Sequence, residues 1–186
     1  LWARCSERRG RVTHNPAMTA KADIRIRQAA PADLGELMRI FDSARRFMRS
    51  TGNMHQWEGG YPSEELLRSE ILAGHCFVCE TADGEPVGTF CFIIGEDPTY
   101  RIIEQGAWLS PGPYGTIHRL ASDGRAGGVA RACFDWCGAR MGNLRADTHA
   151  DNTVMQRLLE GAGFVRCRII YTDDGSPRIA YQRCGG

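Results

Sequence analysis

The chain reads as a single α/β domain, a mixed sheet of about six to seven strands with helices on both faces. Three observations predict it. Two-residue alternation and helical apolar spacing take turns along residues 24–183. Turn sequences, ADGE at 82–85 and DDGS at 173–176, close a hairpin near each end of the sheet. Between the hairpins the strands are separated by helical segments, as crossovers to a parallel neighbour require.

The elements follow in order. IRIRQ (24–28) alternates as a strand. Pro31 opens a helix that carries Leu34, Leu37, Met38, Phe41 and Met48 at helical spacing. The glycines and proline of STGNMHQWEGGYP (50–62) break it. Ser63 is placed to cap a second helix, EELLRSEILAG, which ends at Gly74. HCFVCET and PVGTFCFIIG are two strands, and 96–115 is irregular, with Pro98, Pro111 and Pro113. A strand over 116–122, a glycine loop, a helix over about 128–141, the strand NLRADTH and the helix DNTVMQRLLEGAG come next. FVRCRIIYT and RIAYQR are the closing strands.

Composition bounds the rest. The 186 residues, 42% apolar and 24% charged, suit one globular domain. No apolar run approaches the roughly 20 residues of a membrane span. Residues 1–22 hold five basic side chains against Glu7, a charge of +4 out of a total of +1, which leaves −3 on the rest. A mildly acidic body argues against a nucleic-acid partner. LWARCSERRGRVTHNPA (1–17) has no period of either kind and is expected to lie outside the fold as a leader, a non-native extension or an upstream start; an organelle transit peptide is the rival. The domain is then 18–186.

Eight cysteines raise metal and disulfide chemistry. Cys76 and Cys79 lie on opposite faces of one strand and do not converge on an ion, and no second C-x-x-C completes a site. Cys133 and Cys137 fall in the apolar stripe of a helix, where thiols serve as small hydrophobes. No metal is expected. With no secretory segment, the cytoplasm is the expected compartment. A monomer and a homodimer are both compatible with the sequence.

The chemistry concentrates in HRLASDGRAGGVARACFDWC (118–137), a strand, a loop with Gly124, Gly127 and Gly128, and a helix. A helix start offers unpaired N–H groups and partial positive charge to a phosphate. A triphosphate loop would need Lys and Ser or Thr after Gly128, and a dinucleotide fold would need its glycines in an early strand–helix unit; neither fits. What stands is Arg125-Ala126-Gly127-Gly128-Val129-Ala130, an Arg-x-x-Gly-x-Ala. It resembles the coenzyme A signature of the GNAT superfamily of N-acetyltransferases. That family's strand before the loop is matched by Leu120-Ala121-Ser122, its later Asn by Asn152, and its Leu-Tyr-x-x-x-Gly-Phe by residues 158–164. The order of elements agrees over 24–183. The segments IHRLASDG, DTHADN, LLEGAGF and DDGSPRIAYQ together look like a bacterial branch of the superfamily.

The resemblance implies acetyl transfer from acetyl-coenzyme A to a primary amine of a small molecule or peptide, in one ternary complex. It assigns the pyrophosphate to the N–H groups of about 126–131, ending at Arg131. Arg125 would reach a phosphate oxygen, the pantetheine arm would lie along Leu120–Ser122, and Asn152 would touch the coenzyme. His118 is the first candidate base, two residues before Leu120 and so expected on the same strand face. His149, which shares the parity of Asp147, is the second, and Glu104 the third. Gln56, Trp57 and Tyr61, between the first two helices, are candidates for the acceptor, with a cationic acceptor suited to the −3 body. One position departs from the pattern. The family's Tyr, which protonates the leaving thiolate, is replaced by Leu159. Tyr114, Tyr171 and Tyr181 are alternatives, and an inactive member that only binds an acyl-coenzyme A is a second functional expectation. An unrelated α/β binding module is a third.

Overall fold

A computed structural model describes residues 23–185; the expected leader at 1–17 lies outside the described residues. Seven strands form one sheet: β1 (Arg25–Gln28), β2 (Cys76–Glu80), β3 (Pro86–Ile94), β4 (Gly115–Ser122), β5 (Asn143–Thr148), β6 (Val165–Tyr171) and β7 (Pro177–Cys184). Among the described residues four α-helices accompany them: α1 (Leu34–Ser50), α2 (Glu64–Leu72), α3 (Val129–Gly138) and α4 (Thr153–Gly161). The spatial order is β1-β2-β3-β4-β5-β7-β6. Neighbours run antiparallel except β4 and β5, the pair that the α3 crossover joins.

The helices divide between the faces, as their apolar stripes require. Leu37, Ile40 and Phe41 of α1 and Leu67 and Ile71 of α2 pack with Val78, Cys91 and Ala121. On the other face Cys133, Phe134 and Cys137 of α3 and Leu159 of α4 pack with Phe90, Ile117, Leu144 and Tyr181. Cys76 belongs to the first cluster and Cys79 to the second, so the C-x-x-C is split across the sheet. Ser63 caps α2, its Oγ accepting from the Leu66 N–H at 3.1 Å. The irregular 96–114 segment folds over the sheet beyond β4 on Tyr100, Tyr114 and Trp108.

The β4–β5 contact is short. Only Gly115–Leu144, Thr116–Arg145 and Ile117–Ala146 are paired. Beyond them β4 stays with β3 as far as Ser122 and β5 stays with β7 as far as Thr148, so the sheet opens between them.

Candidate active site

A cavity of about 790 Å³ occupies the opening. Its walls are Ile117–Leu120 of β4, Ala146–Thr148 of β5, the start of α4, the loop after α1, the Asp97–Thr99 turn and the β6–β7 turn.

The β4 wall carries an irregularity. Thr89 pairs with Ala121 but Cys91 pairs with His118, so β4 has one residue more than β3 over this stretch. Arg119 takes the left-handed conformation, φ +53°, as a bulge allows. Alternation breaks there. Ile117 and Leu120 both pack with the α3–α4 cluster, while His118 turns to the other face beside Tyr100, ring centroids 6.1 Å apart. His118 and Leu120 therefore do not share a face, and the expectation from simple parity is corrected by the bulge.

His118 has a carboxylate partner. Its Nε2 lies 2.7 Å from Asp97 Oδ2, both side chains being largely buried. Asp97 is itself fixed. Its Oδ1 accepts from the Thr99 N–H at 2.9 Å, and its own N–H donates to the Tyr114 hydroxyl. Burial pushes its carboxyl upward, but the imidazole and the Thr99 N–H outweigh it and hold the group below the usual aspartate value. Arg119 is anchored by Glu70 Oε1 at 3.0 Å and donates to the Tyr61 hydroxyl at 2.7 Å.

The opposite wall is buckled by amides. Gln56 Oε1 accepts from Asn53 Nδ2 and from Asn152 Nδ2, each at 2.9 Å. Asn152 also caps α4, its Oδ1 accepting from the Met155 N–H. Trp57 sits in left-handed backbone, φ +59°, with its ring edge-on to Phe41. That conformation is costly for a bulky side chain and points to a constrained wall.

The glycine loop opens on the outer side of α3. Gly128, φ +91°, precedes the helix, which has no side-chain cap. Among the described residues the N–H groups of 126–131 have no protein acceptor. A Cβ on Gly127 would meet nothing within 4 Å, so this start is open to an approaching anion. Gly88 of β3 lets the helix begin so close to the sheet: a Cβ there would be 2.5 Å from Val129 Cγ1 and 3.0 Å from the Ala121 carbonyl oxygen.

Known structures share this fold. A GNAT-family acetyltransferase of Streptococcus agalactiae is 31% identical, with 88% of this chain and 96% of that one covered at a TM-score of 0.79. The chain belongs to the GNAT acetyltransferase family. A GNAT-family acetyltransferase of Listeria monocytogenes (17% identity, 89% and 98% covered, TM-score 0.63) and one of Bacillus anthracis (15%, 88% and 96%, 0.60) share the fold. No family model and no curated protein matches the sequence.

Against the GNAT expectation, the structure gathers His118, Leu120, Gln56, Trp57, Tyr61 and Asn152 around one cavity. His149 stands just outside the lining, its Nδ1 accepting from the Asp151 N–H at 3.1 Å, its ring 6.2 Å from that of His55. Glu104 is far from this group in its contacts: it bridges to Ile169 and accepts from the Tyr171 hydroxyl at the surface. Arg125 is engaged by carboxylates, Asp123 Oδ2 at 2.6 Å and Glu85 Oε2 at 3.1 Å. Ala121 and Val129 are core side chains, which leaves only their backbone for a ligand. The Ser122 hydroxyl accepts from Gly124 N–H, Ala130 packs on the core edge, and Arg131 pairs with Asp135. Tyr114, Tyr171 and Tyr181 do not line the cavity, whereas Leu159 does. Sequence reasoning missed Asp97, Arg119 and Gly88. The Asp97-Pro98 step signals a turn cap, but nothing local ties it to His118, 21 positions on.

Proposed function

We propose that the chain transfers an acetyl group from acetyl-coenzyme A to a primary amine by direct attack, with His118 as base. The observation that carries this reading is the His118–Asp97 pair in the cavity between β4 and β5. Acetyl-coenzyme A supplies an activated thioester carbonyl. The open N–H groups of 126–131, with no Cβ over Gly127, suit its pyrophosphate, and the backbone of Leu120–Ser122 suits its arm.

Asp97, held as a carboxylate, keeps the proton of His118 on Nε2, which leaves the Nδ1 lone pair to take a proton from the acceptor. In the step the amine nitrogen bonds to the acetyl carbon, the C–S bond breaks and the nitrogen's proton passes to Nδ1. The released thiolate takes a proton from solvent, since Leu159 offers none. Asp97 orients the ring and steadies the imidazolium that forms. Leu159 also favours one other reading, a chain that binds an acyl-coenzyme A without turnover.

Direct titration with acetyl-coenzyme A, followed by thiol release across a panel of amines, tests both readings. Binding with thiol release supports the transferase. Binding with no release from any amine supports the sensor. No binding overturns both.

A further inference from the structure

Thr148 carries a hydroxyl that the fold itself does not use. The residue is wholly buried, it lines the cavity, and its Oγ1 has no partner among the described residues. Such a group costs stability until a ligand completes it.

Its position says which ligand. Leu144 and Ala146 of β5 enter the α3–α4 cluster, so Thr148 shares their face. Ile179, its partner on β7, packs in the same cluster. His118 lies on the other face, beside Tyr100. Thr148 stands two residues past Ala146, whose pairing with Ile117 is the last β4–β5 rung, and so near the closed end of the opening. Leu120 packs toward the same face from β4. This face of the lining is otherwise apolar, formed by Ile117, Leu120, Phe134, Ala146 and Leu159. Asn152, at the start of α4, is already engaged by Gln56 and Met155.

A coenzyme arm that descends β4 from the loop at 126–131, past Ser122 to Leu120, delivers its thioester to that closed end. As the C–S bond breaks, negative charge develops on sulfur among apolar side chains, where a donor matters most. We infer that Thr148 is a catalytic residue whose Oγ1–H donates a hydrogen bond to the sulfur of the leaving thiolate. This rests on the acetyltransferase reading. The electron pair of the C–S bond stays on sulfur. The proton stays on Oγ1, because an alcohol is a far weaker acid than a thiol, whose ordinary pKa is about 8.5. The thiolate takes its proton later, from solvent. Base and leaving group are then served from opposite faces of the sheet, His118 on one and Thr148 on the other.

The test compares the parent with Thr148→Val, which keeps the shape and removes the hydroxyl, and with Thr148→Ser, which keeps the hydroxyl. The thiol of bound coenzyme A is titrated by its thiolate absorbance, with desulfo-coenzyme A as the blank. Single-turnover thiol release is measured with the best amine of the panel. Thr148→Val should hold or raise the Tm of the free chain, since an unsatisfied hydroxyl is removed. It should raise the pKa of the bound thiol by about 1 and slow release by about tenfold, the scale of one hydrogen bond to a charged group. The Kd of acetyl-coenzyme A should not change, because a neutral thioester sulfur accepts only weakly. Thr148→Ser should restore both the thiol pKa and the rate. An unchanged thiol pKa in Thr148→Val, or a loss that Thr148→Ser does not restore, overturns the inference. If coenzyme A binds but no amine releases thiol, the transferase reading falls and the thiol titration alone decides whether Thr148 meets the sulfur. If coenzyme A does not bind, both fall together.

Discussion

Gly88 and Val129 are in direct apposition: a methyl group on the glycine would lie 2.5 Å from Val129 Cγ1. Neither partner can withdraw easily, since Val129 is buried and the Ala121 carbonyl closes the other side at 3.0 Å. The first turn of α3 is therefore located by a strand residue about forty positions earlier. Gly88→Ala should cost about 1–3 kcal/mol, as overpacking does, and weaken acetyl-coenzyme A binding at the same time. Thermal unfolding and calorimetric titration of one sample check it. Unchanged affinity would show that α3 does not hold the coenzyme.

Gly127 provides the complementary test, because space rather than strain is at stake. Its added side chain meets no protein atom and its φ lies outside the left-handed range. Gly127→Val should retain the parent Tm to within about the ±0.5 kcal/mol of an ordinary surface change while lowering affinity for acetyl-coenzyme A at least tenfold. Gly128, at φ +91°, cannot separate the two effects, since any side chain there strains the loop.

His118→Ala should reduce kcat/KM by roughly 10²–10⁴-fold and leave coenzyme binding intact. Asp97→Asn should give a smaller loss in kcat and alter the shape of the pH–rate profile, because a neutral amide no longer fixes the proton on Nε2. Rate–pH curves of the three proteins decide it. Full activity in His118→Ala would move the base to another residue, and a normal profile in Asp97→Asn would leave that carboxylate only a turn cap.

His149 should make the fold acid-sensitive. Burial first, then the Arg178 charge, hold its pKa below the ordinary histidine value. As pH falls through about 6.5 the unfolded chain takes up a proton that the folded chain does not, so stability declines toward acid and recovers as pH rises. His149→Asn keeps an acceptor for the Asp151 N–H and removes the titration. Its Tm should fall less between pH 7 and pH 5.5 than that of the parent. Superimposable acid limbs would exclude the residue as a source.

The order of elements was readable from the sequence because each rests on local signals: Ser63 before a helix, Pro31 at a helix start, ADGE between two strands. The glycine loop was readable for the same reason. The side-chain geometry of the site was not. A bulge on an arginine leaves no mark in the residue pattern, yet it decides which face His118 takes. The Asp97–His118 contact joins an irregular segment to a strand, and such pairing depends on how the 96–114 chain folds back. Arg125 reads as a free cation in sequence because Glu85, which engages it, belongs to the β2–β3 turn. Asn152 reads as a coenzyme contact in sequence, and in the fold its amide is committed to Met155 and Gln56.

The three-rung β4–β5 contact has a further meaning for how the molecule opens. β1–β4 with α1 and α2 form one hydrogen-bonded block, and β5–β7 with α4 form another, joined by that seam and by the α3 packing. Blocks of this kind exchange their amide hydrogens as separate cooperative units. Amides at Gly115–Ile117 and Leu144–Ala146 should then lose protection before the ladders on either side. A molecule lodged in the opening touches both blocks, so its arrival should slow exchange in the two together. Ligation would in this way be written into the kinetics of the whole sheet.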